Sequence, residues 1–344
     1  MLRGAVKLIV PARSSARDYR LEEISFVRSD KNQMAERKFL SEFALNMLAS
    51  QKLLIQQEDL PGLVGADIFD ENPCHIYMIC RRPRISLNPA GFKVTDLEIT
   101  GELRVQRGYE FDSHQFSLRN HLGTSELSLD CPFPHNFIRL RNKSGEILSG
   151  IKSAILALQV ESLRRDLDLE VLYIGQSYGV EGARTAPDRL RSHSTLQGIY
   201  AEALHNSPDM EIWLLLLSFH APLLLACFDG RSKEYGTTFE EDTAHMERVL
   251  STDITEQQQI NFTEAALIRY FKPAYNTIYK DRFPNPAHQT YSECYDLDLN
   301  AVCVEIQTDD MGFSLWSKAV PKNWVHLAQF ALHSPEERKG IFEL

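Results

Sequence analysis

Five side chains of types that move protons, hold phosphate or bind hard cations follow one another in order. They are Tyr173 in EVLYIGQS, Arg189 and His193 in PDRLRSHS, and Glu264 and Asn276 in TEAALIRYFKPAYN. Taken singly, each also has an ordinary reading. Tyr173 ends a short apolar strand and is followed at once by a turn glycine, as many strands are. Arg189 and His193 stand four residues apart, so on one continuous helix both side chains leave from the same face. Glu264 is a lone acid in the apolar first turn of a helix expected over 262–272. There it either binds a cation or complements the helix dipole. Asn276, just after Pro273, either orients a neighbouring group or caps that helix. Two further stretches look chemical but are not. GQSYGVEG lacks the lysine of a phosphate loop, and EEDTAHME at 240–247 reads as a solvated acidic helix face rather than a metal site.

The elements that must position these groups can be read from hydrophobic periodicity. NFIRLRN is expected as a strand, GIKSAILALQVESLRRD as a helix, and LEVLYIGQ as a strand. PDRLRSHSTLQGIYAEALH follows as a single helix, EIWLLLLSF and PLLLACF as strands, and FEEDTAHMERVL and INFTEAALIRYFKP as helices. Upstream, AVKLIV, HIYMICRRP, DLEITGELRV and HQFSLRN read as strands, and AERKFLSEFALNMLASQKLLIQQ at 35–57 as a helix. Downstream, NAVCVEIQ and FSLWSKAV read as strands and WVHLAQFAL as a helix. The fold class is α+β, with a boundary placed at the two prolines of DCPFPHN.

A chain of 344 residues has room for more than one domain. Six cysteines at 74, 80, 131, 227, 294 and 303 show no zinc or redox spacing and read as reduced cytosolic thiols. The apolar stretch at 213–228 is shorter than a bilayer span and contains Pro222. It is expected to form two buried strands around a turn, with no membrane contact. The apolar run near the N-terminus is too brief for a signal sequence and lacks a small-residue cleavage site. A net charge of -10 argues against polyanion binding over the whole surface and leaves room for a local basic cleft.

Taken together, YIGQS, the Arg-x-x-x-His pair and the stretch E-A-A-L-I-x-x-F-K-P-x-Y-N resemble the GIY-YIG nuclease superfamily. The resemblance is nearest to its restriction-endonuclease branch and covers roughly residues 131–285. It implies a small central antiparallel sheet flanked by helices at 131–285. An N-terminal α+β domain at 1–130, a candidate for target recognition, and a C-terminal extension at 286–344 would flank it. It further implies a cytoplasmic, Mg2+- or Mn2+-dependent endonuclease that hydrolyses phosphodiester bonds in DNA, in restriction or defence against foreign DNA. Such a protein could act with a second copy of itself or within a defence complex.

Each role the resemblance implies has a chemical reason. Glu264 would hold the cation, since Mg2+ takes only one or two carboxylates and keeps several waters. Arg189 would fork its donors onto the scissile phosphate. His193 is the expected principal proton acceptor, because it titrates near neutrality, with Tyr173 positioning it. Asn276 would orient a catalytic group. Arg139, Arg141, Lys143, Arg184 and Arg191 would line a groove for the phosphate backbone, with Gln176 beside the substrate. The family's first motif has the form Gly-Ile-Tyr-x-Ile-x-Asn, and the match taken here is Asn136 to Asn142, which sets Ile138 in the tyrosine's place. Gly198 to Tyr200 spells the motif literally but follows YIG and sits within a helical pattern. A lost first tyrosine leaves open a catalytically decayed, nucleic-acid-binding or regulatory protein as the alternative.

Overall fold

The run IWLLLLS is buried at every position from Ile212 to Ser218, as in a strand covered on both faces of a sheet. The computed structural model describes residues 37–63, 72–179, 185–220, 223–227, 236–278, 280, 283 and 292–341. All of these fall within one compact unit spanning residues 35–344. The expected strand AVKLIV lies outside the described residues.

The described strands, in chain order, begin with β1 (Ser41–Ile55), β2 (Ile76–Pro83), β3 (Ile85–Val94), β4 (Glu98–Arg107) and β5 (Glu110–Arg119). Then come β6 (Ser128–Asp130), β7 (Phe137–Arg141), β8 (Ile147–Lys152), β9 (Leu169–Gln176), β10 (Met210–His220) and β11 (Leu223–Cys227). The last are β12 (Ala301–Gln307), β13 (Leu315–Trp316) and β14 (Val325–Ala331). The helices are α1 (Leu60–Leu63), α2 (Ser153–Leu156), α3 (Ala186–Leu190), α4 (Ser194–Asn206), α5 (Phe239–Ser251), α6 (Glu256–Phe271) and α7 (Ser292–Asp296).

The fold is α+β, with one large mixed sheet of eight strands in the order β13-β9-β2-β10-β1-β12-β14, and β11 alongside β1. Two three-stranded sheets, β3-β4-β5 and β6-β7-β8, stand apart from it. The stretches 1–130, 131–285 and 286–344 each supply strands to the large sheet. Its two faces carry different cores, because alternate strand residues point opposite ways. Ile76, Met78, Trp213, Leu215 and Leu217 pack with Phe262, Ala266 and Phe271 of α6. On the other face Tyr77, Ile79, Leu214 and Leu216 pack with Leu190 of α3 and Leu196 and Ile199 of α4.

Several elements differ from expectation. The stretch expected as a helix at 35–57 is β1, whose Phe43, Leu45 and Met47 alternate into the core. It runs antiparallel to β10 and parallel to β12, and those backbone partners outweigh its helical propensity. WVHLAQFAL is likewise a strand, β14, with His326 and Ala328 inward and Val325 and Leu327 outward. GIKSAILALQVESLRRD yields only the four-residue α2 followed by 3-10 turns. Asp242 and His245 in EEDTAHME are buried rather than solvated. Asp242 accepts the backbone N–H of Ser41 at 2.9 Å, and His245 stacks on Phe39 at 3.7 Å between ring centres.

Candidate active site

The site forms where β9 meets β2. These strands run antiparallel in a register that sets Tyr77 opposite Gly175 and Ile79 opposite Tyr173. The ring of Tyr77 is buried and lies across Gly175. A Cβ on that glycine would stand 2.5 Å from the Tyr77 hydroxyl and 2.9 Å from Tyr173 Cε1. The glycine of YIG is therefore required by a second tyrosine that arrives from far earlier in the chain. The two phenol rings are 6.3 Å apart between centres.

Ile138 does not stand beside Tyr173. It lies on β7, which pairs with β6 and β8 in a separate sheet, so the assignment of 136–142 as the partner strand is corrected. The strand beside YIG is β2. It opens Ile76-Tyr77-Met78-Ile79, within the stretch HIYMICRRP that the sequence marks as a strand without showing what it pairs with.

Arg189 and His193 reach the pair of tyrosines from two helices, not one. The expected single helix breaks after Leu190, and His193 is the N-cap of α4, its Nδ1 accepting the Leu196 N–H at 3.1 Å. Arg189, in the last turn of α3, stands near enough to the Tyr77 phenol for its charge to favour the ionised form. The buried His193 ring lies 5.6 Å from Tyr77 and 5.4 Å from Tyr173 between centres. Burial holds both phenols above their ordinary pKa; Glu264 adds to the rise on each, and Arg189 opposes it. The neighbouring Tyr77 hydroxyl likewise opposes the rise on Tyr173.

Glu264 sits in the middle of α6, not in its first turn, since that helix starts at Glu256 behind a Thr255–Gln258 capping box. The dipole explanation for this acid therefore fails. Burial pushes its carboxyl up to about 7, opposed by hydrogen bonds from the side chain and backbone of Gln176. Gln176 Nε2 donates to Glu264 Oε2 at 2.7 Å and to Asn261 Oδ1 at 2.8 Å. Asn261 is a second residue that sequence reading missed, for no motif position marks it.

Asn276 caps nothing, because α6 closes with Lys272 in the left-handed conformation, its N–H bonded to Ile268 at 2.9 Å. Its buried side chain instead grips the middle residue of YIG. Oδ1 accepts from Ile174 N at 2.9 Å, and Nδ2 donates to Ile174 O at 2.8 Å. With Tyr275 N bonded to Leu172 O at 3.0 Å, this turn extends the ladder along the β9 edge that β13 begins.

The expected basic groove is not gathered here. Arg141 is paired with Asp130 at 2.7 Å, Lys143 with Glu126, and Arg139 covers the Phe137 ring, all on the sheet of β7. Arg191 is exposed at the end of α3, and Arg184 lies outside the described residues. Among the described residues no three His, Cys, Asp or Glu side chains cluster as a metal site. One carboxylate bordered by amides is the donor set of a hard, largely hydrated ion of the Mg2+ class, not of a thiolate- or imidazole-bound metal. Among the described residues no helix is long and apolar enough to cross a membrane. No protein-family model, curated protein or solved structure matches the chain.

Proposed function

We propose that this chain is a divalent-cation-dependent DNA endonuclease built on a GIY-YIG-like core of β2, β9, β10, α3, α4 and α6. The observation that carries the reading is the meeting of Tyr77, Tyr173, Arg189, His193 and Glu264 from five separate elements. Ile76-Tyr77-x-Ile79 fits the family's first motif, with His75 in place of its glycine. The decayed-nuclease alternative rested on a missing first tyrosine, and Tyr77 removes that support. Restriction or defence against foreign DNA is the setting that the resemblance favours.

Hydrolysis of a phosphodiester adds water across one P–O bond, with negative charge building on the phosphoryl oxygens. Glu264 would hold a Mg2+- or Mn2+-class ion, which supplies neutralisation of that charge and activation of water. Arg189 offers a forked, permanently charged donor to the same oxygens. The two tyrosines lie side by side under the charge of Arg189, and Arg189 and Tyr77 both favour the ionised form of Tyr173 against its burial. Tyr173, ionised to the phenolate that Arg189 and Tyr77 favour, would take the proton from the attacking water and return to the phenol. His193 changes role. Its Nδ1 lone pair is occupied by the Leu196 N–H, so the neutral ring carries its proton on Nε2 and acts as a donor and a wedge between the phenols. Asn276 positions the YIG backbone rather than touching the substrate.

The test is Glu264→Gln on supercoiled plasmid. The amide keeps the shape but loses the charge, so cleavage is expected to disappear while DNA binding in chelator stays within about twofold, in keeping with a surface left unchanged. Near wild-type nicking by this variant would remove Glu264 from the chemistry.

A further inference from the structure

Gln176 spends both side-chain donors on one carboxylate and that carboxylate's neighbour. Its Nε2 lies 2.7 Å from Glu264 Oε2 and 2.8 Å from Asn261 Oδ1. Two acceptors around a single NH2 group fix which way the amide points, since a flipped amide would set its oxygen against both. Asn261 and Glu264 are spaced i and i+3 on α6 and share a face. Gln176, the last residue of β9, thereby ties the strand of YIG to the helix of Glu264.

A carboxylate offers about four lone-pair positions, and the bond from Gln176 to Oε2 takes one of them. The remaining positions are held in one direction, as binding a hard cation requires. We propose, on the nuclease reading above, that Gln176 is the positioning residue for the cation site. It fixes the orientation of the Glu264 carboxylate, and Asn261 locks the Gln176 amide in turn. A contact from Gln176 to nucleic acid, expected from sequence, would cost these bonds. Partners of this kind behind a metal ligand change metal affinity about 10- to 100-fold when removed.

The test titrates the full-length protein with Mn2+ in the absence of DNA, following free Mn2+ by electron paramagnetic resonance. Gln176→Met keeps the length of the side chain and removes both donors. It is expected to weaken Mn2+ binding about tenfold or more, with thermal stability and DNA affinity in chelator unchanged. Asn261→Ala is expected to give a smaller loss in the same direction, and Glu264→Gln to abolish the binding. Wild-type Mn2+ affinity in Gln176→Met, or loss of DNA affinity in chelator, would overturn the positioning role. If Gln176→Met fails to fold, Asn261→Ala decides the matter, and wild-type affinity there overturns the role. A wild-type protein with no Glu264-dependent Mn2+ binding would defeat the nuclease reading itself, so the two failures are distinguishable.

Discussion

Tyr173 lies beside Tyr77 and His193 and within the field of Arg189, and on the proposed reading these neighbours decide which group handles the proton. A phenol held above its ordinary pKa is a poor base alone. The Tyr77 hydroxyl and Arg189 both favour its charged form, which makes it serviceable. Tyr173→Phe is therefore expected to lower single-turnover cleavage about 100-fold or more, the usual scale of general-base loss. His193→Asn, which keeps a side chain able to cap α4, is expected to remain within about tenfold of wild type, as a residue without direct proton transfer should. The reverse ranking would return the proton to His193. Glu264 carries the pH dependence. Its carboxyl lies at about 7 against an ordinary 4.5, so the fold favours the uncharged form. Its contribution to stability is full below 4.5 and is lost as pH rises through about 7. In chelator, thermal denaturation of the wild type relative to Glu264→Gln should fall across that window. Cleavage at limiting cation should rise across it, because the cation must displace a proton. Flat profiles for both would show that burial does not perturb this group.

At the scale of elements, the site depends on two close fits, at the crossing of β2 with β9 and at the turn after α6. Gly175 is confined by both phenol rings, and the methyl of Gly175→Ala must displace Tyr77 and press on Tyr173. That variant is expected to fold with a loss of about 1–3 kcal/mol, typical of an overpacked core. It should lose most cleavage because Tyr77 moves off Arg189. Unchanged activity would mean that the ring is not needed where it lies. Part of this was legible in the sequence. The strand of Tyr173, the helix of Glu264 and the fixed interval to Asn276 all follow from local periodicity and a proline stop. The break between α3 and α4 was not, because the apolar spacing of Leu190, Leu196 and Ile199 continues through it while a buried histidine takes the cap. β1 and β14 misled for a related reason: short apolar runs fit both periods, and only their sheet partners choose between them.

The large sheet of the described residues is assembled from distant parts of the chain, which sets Tyr77 beside Tyr173 although the two are far apart in sequence. β2 and β9 are neighbours, yet both smaller sheets lie between them in sequence. Nothing local announces a pairing of that range. The same topology makes a concrete expectation about folding. A fragment of residues 131–285 keeps β9 and β10 but lacks β2, which lies between them, so it is expected to give no cooperative thermal unfolding. A stable, cleavage-competent fragment would show that a smaller core suffices. Charge is also organised at this scale: in a protein of net charge -10, Arg141 and Lys143 are already paired with acids, so among the described residues Arg189 is the cation that the proposed reading sets against phosphate. The most direct measurement of the central claim is incubation of the purified full-length protein with supercoiled plasmid, with Mg2+, with Mn2+ and with chelator. The account predicts nicked or linear DNA with either cation, none with chelator, and none from Glu264→Gln under any condition. Intact plasmid with both cations, or cleavage that persists in chelator, would contradict it.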